Sequence, residues 1–303
     1  MRRGVVFALF FLILGTAFAG LYWSARRTKR TQISANAVLQ IAADAQRDLS
    51  RGPMQVTRIS DEREIAIGNE LAARYAVQEQ KLTPEENAVQ GYVRRVGGAL
   101  SLRAHRHLPY KFYLIPDRNL MNAFSLPGGH VFIGEGMLDL METEDELASV
   151  LGHEIEHIDH YHCVERVQIE AKLKGFHLDV IGAWLQIPME FWQAGYHKNE
   201  EFEADREGMR IALAAGYSPY GSVKLFERFT ELCNEQTIEA VDPADELTQL
   251  AEQSLTGYFR THPLPSERLA QARTLIAQEH WENRQTQRPF HVEYEVHNGK
   301  FVK

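Results

Sequence analysis

Thr143-Glu144-Asp145-Glu146-Leu147-Ala148-Ser149-Val150-Leu151-Gly152-His153-Glu154-Ile155-Glu156-His157 decides the fold. Thr143-x-x-Glu146 is a capping box, which predicts a helix starting here and running to about residue 168. Leu147, Val150, Leu151, Ile155 and Ile158 give that helix an apolar side. His153 and His157 are one turn apart on one face, with Cβ atoms about 5–6 Å apart. Both imidazoles then reach a single Zn²⁺ at about 2.0–2.1 Å. His153-Glu154-Ile155-Glu156-His157 is therefore an H-E-x-x-H element. Glu154, one step round the helix, places its carboxylate over the metal's open position. Zinc lowers the pKa of a bound water to about 7, and Glu154 can take its proton. The competing reading is a chance match on a solvated, polar helix face, since Glu156, His160 and His162 are polar too. The independent helix start and the apolar side favour the chemistry.

Two histidines do not hold a catalytic zinc, so a third ligand is required. A metzincin continuation needs Gly at 160 and His at 163; the chain has His160 and Cys163, which excludes that class. His160 and His162 lie too close along the same helix to replace a ligand. The next candidate is Glu200-Glu201-Phe202-Glu203-Ala204-Asp205. Glu201 and Asp205 are four apart and share a face. Glu201 can ligate the metal while Asp205 accepts a hydrogen bond from a ligand histidine and fixes its tautomer. Glu203 is the rival ligand within the cluster. A solvated acidic face is the bland alternative.

Working outward, Tyr110–Ile115 and His130–Ile133 read as short strands, the second preceded by a turn at Pro127-Gly128-Gly129. Helical patterns cover about 61–80, 84–102 (Thr83 as cap, Pro84 in the first turn), 199–215, 218–235 and 265–280. Residues 176–195 are apolar and aromatic, broken by Pro188, and residues 290–296 alternate like a strand. The expected class is α+β, mostly helical, with one small sheet.

The formal charge of -8 disfavours non-specific nucleic-acid binding. Residues 1–30 run against that average, with Arg2, Arg3, Arg26, Arg27, Lys29 and Arg30 and no acid. Gly4–Trp23 carries no charge and suits one bilayer crossing. A retained signal anchor is preferred over a signal peptide cleaved after Ala17-Phe18-Ala19, because the apolar run continues through Trp23. Residues 31–57 read as a polar connector. Two cysteines, Cys163 and Cys233, exclude a disulfide framework and a four-cysteine zinc site.

Several motifs in one order resemble the HtpX/OMA/BepA-like zinc metallopeptidases, relatives of the CAAX prenyl proteases. They are Ile59-Ser60-x-Glu62-x-Glu64-Ile65-x-Ile67-Gly68, Asn122-Ala123-Phe124-x-Leu126-Pro127-Gly128-Gly129-His130-Val131-Phe132, the H-E-x-x-H element, Glu201-x-Glu203-Ala204-Asp205 and Thr261-His262-Pro263-Leu264-Pro265. The similarity spans roughly 58–275. It implies a zincin-like metallopeptidase domain over 58–280, followed by a tail over 281–303, and one zinc per chain. It implies His153, His157 and Glu201 as ligands, Glu154 as base and Asp205 behind them. It adds His262, approaching the metal as oxyanion partner or as a switch, with Arg268 supporting that loop. It also implies that residues 128–133 form an edge strand that binds an extended peptide by strand addition, through Gly128, Gly129, His130 and Val131, with Asn122 shaping it.

The function implied is zinc-dependent endopeptidase action on misfolded or membrane and envelope proteins. The alternative is a latent or non-catalytic zinc protein that binds peptide as a chaperone does. Expected partners are protein substrates and a membrane through residues 4–23, with no nucleic acid. The expected location is membrane-anchored with an extracytoplasmic body; a cytoplasmic face, or secretion after cleavage, is the alternative.

Overall fold

Thr143 starts the central helix as its spacing predicts: its hydroxyl accepts from the Glu146 amide at 3.3 Å. The box is not reciprocal, because the Glu146 carboxylate accepts instead from the Glu142 amide and the Arg228 guanidinium. The computed structural model describes residues 59–79, 82–174, 187, 191–192, 196–235, 263–285, 288–290, 295–297 and 300–302. The expected membrane segment 4–23, the connector 31–57 and His262 lie outside the described residues. No helix among the described residues is long and apolar enough to cross a membrane.

In chain order the elements are α1 (Asp61–Glu79), α2 (Pro84–Ser101), β1 (Lys111–Ile115), β2 (Ala123–Leu126), β3 (His130–Gly134), α3 (Glu135–Asp139), α4 (Glu144–Asp159), α5 (His162–Lys174), α6 (Lys198–Ala214), α7 (Tyr220–Glu235), α8 (Pro265–Gln278), β4 (Glu295–His297) and β5 (Lys300–Val302). The described fold is mostly helical with a small three-stranded sheet, and β4 and β5 form a separate hairpin.

The sheet order is β1-β3-β2, with β3 parallel to β1 and antiparallel to β2. This corrects the edge-strand reading of residues 128–133. β3 is the central strand, so its backbone is already paired on both sides. Gly128 and Gly129 make the β2–β3 turn with φ of 79° and 102°, where a side chain would be strained. That turn is wedged against α1: the Gly128 amide donates to the Glu64 carboxylate at 3.0 Å, and a Cβ on Gly68 would stand 1.9 Å from the Pro127 carbonyl oxygen. His130 and Val131 are buried. The outer edge of β1 is closed as well, because the Gln90 amide donates to the Phe112 carbonyl (2.8 Å) and accepts from the Leu114 amide (2.7 Å). The remaining sheet edge is β2, which lies against α4.

α4 runs through the middle of the fold with nearly every residue buried. Leu151, Ile155 and Ile158 are fully covered, each contributing roughly 1.5–3 kcal/mol. Its buried first-turn acids are all partnered. Glu144 accepts from the Tyr92 and Tyr217 hydroxyls, and Asp145 accepts from the Ser218 and Arg288 amides. These anions also sit at the positive end of the helix. The backbone at 288–290 completes this corner: the Glu144 amide donates to the Arg288 carbonyl, Thr143 bridges to Pro289, and Phe290 packs 5.7 Å from the Tyr92 ring.

The helix expected to reach residue 168 breaks after Asp159. Tyr161 takes φ of 62° and α5 starts at His162. A left-handed non-glycine residue costs roughly 1–2 kcal/mol. Here it is held by Arg106, whose guanidinium lies 3.7 Å over the Tyr161 ring and bonds the Ile158 carbonyl at 2.7 Å. Arg106 also pairs with buried Glu64 at 2.5 Å, tying α1 to the end of α4.

Candidate metal centre

α4 and α6 cross at a glycine pair. A Cβ on Gly152 would stand 2.8 Å from the Gly208 carbonyl oxygen, and one on Gly208 would stand 2.8 Å from the His153 amide nitrogen. Only glycine on both helices permits this approach. The close crossing brings Glu201 and Asp205, on α6, against His153 and His157, on α4.

The Nε2 atoms of His153 and His157 are 3.0 Å apart. Glu201 places Oε2 3.4 Å from His153 Nε2 and Oε1 3.7 Å from His157 Nε2. A tetrahedral ion at about 2.0–2.1 Å from each donor needs separations of about 3.4 Å, so two imidazoles and a carboxylate fit it in number, kind and spacing. All three side chains are buried. Glu203, the rival ligand, points elsewhere, to His160 and His162 at 3.6 and 3.4 Å.

Each histidine is held from behind. Asp205 Oδ1 lies 2.9 Å from His153 Nδ1. Arg268 grips Asp205 through two bonds, Nε to Oδ2 at 2.8 Å and Nη2 to Oδ1 at 2.6 Å. Burial alone would raise the Asp205 pKa, but the Arg268 charge and its hydrogen bonds, with His153, hold it below the usual carboxylate range. Burial likewise depresses His153, yet the hydrogen bonds to Asp205 and Glu201 outweigh it and lift the ring to about 9. His157 Nδ1 lies 2.9 Å from His162 Nδ1, and the Tyr196 ring stacks on His157 at 3.9 Å. The Tyr196 amide donates to Glu201 Oε1 at 2.7 Å, fixing the carboxylate.

Glu154 is buried beside these donors and accepts from the Ser125 hydroxyl at 3.0 Å. Burial pushes its pKa up to about 7, against the lowering effect of His153 and Ser125. A carboxylate poised there can both take and return a proton near neutrality. A cleft beside His153 and Glu154 is lined by Ala123, Met137, Val150, Leu225 and Phe226. Cys163 is a free, buried thiol next to Tyr196. Burial pushes its pKa up to about 12, and its sulfur is not among the converging donors.

Of the residues singled out from sequence, His153, Glu154, His157, Glu201, Asp205 and Arg268 come together. Gly128, Gly129, His130 and Val131 belong to the buried β2–β3 hairpin instead, and Asn122 lies just before β2. Ser125, Tyr196 and His162 were not singled out as site residues. Their roles arise from contacts across the fold, which no local spacing announces; a second histidine close behind H-E-x-x-H was the one available hint.

Residues 85–276 match the family described as Peptidase family M48. The chain is 27% identical over 202 residues to the beta-barrel assembly-enhancing protease of Escherichia coli K12, covering 60% of this chain and 38% of that one. It is 30% identical over 156 residues to the mitochondrial metalloendopeptidase OMA1 of Schizosaccharomyces pombe, covering 49% and 46%. It is 23% identical over 213 residues to the metalloprotease LoiP of Escherichia coli K12, covering 66% and 79%. The chain thus spans less than half the length of the first two of these relatives.

Proposed function

Because the chain belongs to peptidase family M48 and is a metallopeptidase, we propose that it is a zinc-dependent endopeptidase whose ion is held by His153, His157 and Glu201. The observation that carries this is the convergence of those three donors with Glu154 alongside. Bound there, zinc would supply Lewis-acid polarisation of a peptide carbonyl and make water acidic enough to ionise near neutrality. Glu154 takes the proton from the attacking water. It then returns that proton to the amine released when the peptide bond breaks. The Ser125 hydroxyl orients the Glu154 carboxylate throughout. Asp205 keeps the His153 proton on Nδ1, so that Nε2 presents its lone pair, and Arg268 keeps Asp205 ionised.

The substrate backbone enters along β2 in this reading. β2 is the sheet edge beside Glu154, so an extended peptide there would lie across the reacting groups. The small cleft lined by Val150, Leu225 and Phe226, together with Asp205 and Arg268, borders the reacting groups. His262 stabilises the developing oxyanion in this reading. Substrates in this reading are misfolded or membrane and envelope proteins; one bacterial relative is named a beta-barrel assembly-enhancing protease. Residues 4–23 anchor an extracytoplasmic body to the membrane, ahead of a metallopeptidase domain over 58–280.

The test is Glu154→Gln assayed for zinc and for casein cleavage on the same sample. Zinc is kept and cleavage is lost. Undiminished cleavage by the variant would overturn the role of Glu154.

A further inference from the structure

Beyond the catalytic centre, a second set of donors converges at the break between α4 and α5. His160 Nδ1 and His162 Nε2 stand 3.6 and 3.4 Å from the two oxygens of Glu203. The three ligand atoms all lie within 4.8 Å of one another. We propose that His160, His162 and Glu203 form a second, weaker metal site, and that its occupancy opposes the first.

Several observations carry the site. Two imidazoles and a carboxylate are a borderline donor set that suits Zn²⁺ and Co²⁺ rather than Mg²⁺ or Ca²⁺. His160 Nε2, the nitrogen facing away, lies 3.1 Å from Glu156 Oε2. Glu156 is completely buried, and neither of its carboxylate oxygens makes a hydrogen bond among the described residues, so the His160 contact is one of proximity. A buried carboxylate behind a histidine is the arrangement that orients a metal-bound imidazole. His162 is buried, while His160 and Glu203 are about 30% exposed, so an ion can enter from solvent. Arg206 is 3.9 Å from Glu203 but closer to Glu207, at 2.8 Å, so it can yield its place.

The opposition follows from counting protons between two nitrogens. His157 and His162 face each other through Nδ1 at 2.9 Å. A neutral imidazole that ligates through Nε2 carries its proton on Nδ1. With an ion on His157 alone, that proton is donated to His162 Nδ1, and His162 bonds Glu203 through its own Nε2 proton. With an ion on His162 Nε2 as well, two N–H groups would point at each other. Relief requires one imidazole to turn away or release its ion. Loading the second site should weaken the first by about 10- to 100-fold, the usual effect of disturbing a ligand's outer partner.

Dialysis against buffered free Zn²⁺, read by atomic emission, tests this. Wild type binds two zinc ions per chain at saturation. His160→Ala binds one and keeps full cleavage; His160→Gln serves if the alanine variant folds poorly. His153→Ala, which breaks the first site, still binds one. Wild type saturating at one ion, lost in His153→Ala and kept in His160→Ala, overturns the second site while leaving the catalytic reading intact. Two ions bound by wild type with undiminished first-site affinity overturns the opposition.

Discussion

Gly208→Ala tests whether the glycine crossing sets the metal centre. The new Cβ would stand 2.8 Å from the His153 amide nitrogen, 2.9 Å from the Gly152 carbonyl carbon and 3.0 Å from the His153 Cα. All three are backbone atoms, so no side chain can swing aside. Ordinary carbon contacts begin at about 3.5–4.0 Å, so α4 and α6 must separate by about 0.7–1.2 Å. Overpacking of this kind costs roughly 1–3 kcal/mol. At roughly 2–4 °C per kcal/mol for a domain this size, Tm falls by about 2–12 °C. The effect on the site is larger. Glu201 lies two turns back on the moving helix, and metal distances tolerate only about 0.2 Å. Zinc affinity should fall more than about tenfold, and cleavage by about 100-fold, the cost of a 1 Å misplacement. Gly91→Ala is the control, because its Cβ would meet nothing within 4 Å. That change at an exposed position of α2 should be neutral or stabilise by about 0.5–1 kcal/mol. Chelator competition, calorimetry and casein cleavage on both variants decide the matter. A folded Gly208→Ala with wild-type zinc affinity and activity would refute the reasoning.

Glu154→Gln should lower kcat by about 10²–10⁴-fold with zinc stoichiometry unchanged; the acidic limb of the pH–rate profile, set by a carboxyl that burial lifts to about 7 and a bound dication lowers again, should vanish in its residual activity. Asp205→Ala should weaken zinc binding by about 10- to 100-fold and leave Arg268 buried without its carboxylate, measured by chelator competition and by loss of Tm in the metal-free chain. Burial lowers the His130 pKa to about 4 while its Nδ1 bonds the Tyr113 hydroxyl. The unfolded chain therefore binds the proton more readily, so stability is complete above about pH 6.5 and drains away as pH falls towards 4, by on the order of 3 kcal/mol. His130→Gln should flatten that part of the Tm–pH curve, and an unchanged curve would mean that His130 is not responsible.

The helices were legible because their punctuation is local. Thr83 with Pro84 and Glu86 starts α2, and Gly216 with φ of 88° follows α6. The ligand set was legible because spacing of four on each of two helices fixes a shared face. β2 was not read as a strand: Ala123-Phe124-Ser125-Leu126 is buried on both faces and shows no alternation. The break at Tyr161 was hidden because the apolar pattern continues through Cys163, Val164 and Val167, and no glycine marks the turn. Strand order was the costliest miss. Nothing in the segment 110–134 states that the last strand inserts between the first two, so the edge strand implied by the resemblance was assigned to 128–133 with no local signal against it.

The link between the start of α4 and residues 288–290 bears on how the molecule comes into being. On the ribosome, the sequence carrying His153, Glu154 and His157 leaves the exit tunnel more than a hundred residues before Arg288 does. Until then Asp145 and the Glu144 amide lack partners that the finished fold supplies. A nascent chain thus carries His153, Glu154 and His157 well before it makes the residues at 288–290 that close the corner steadying their helix.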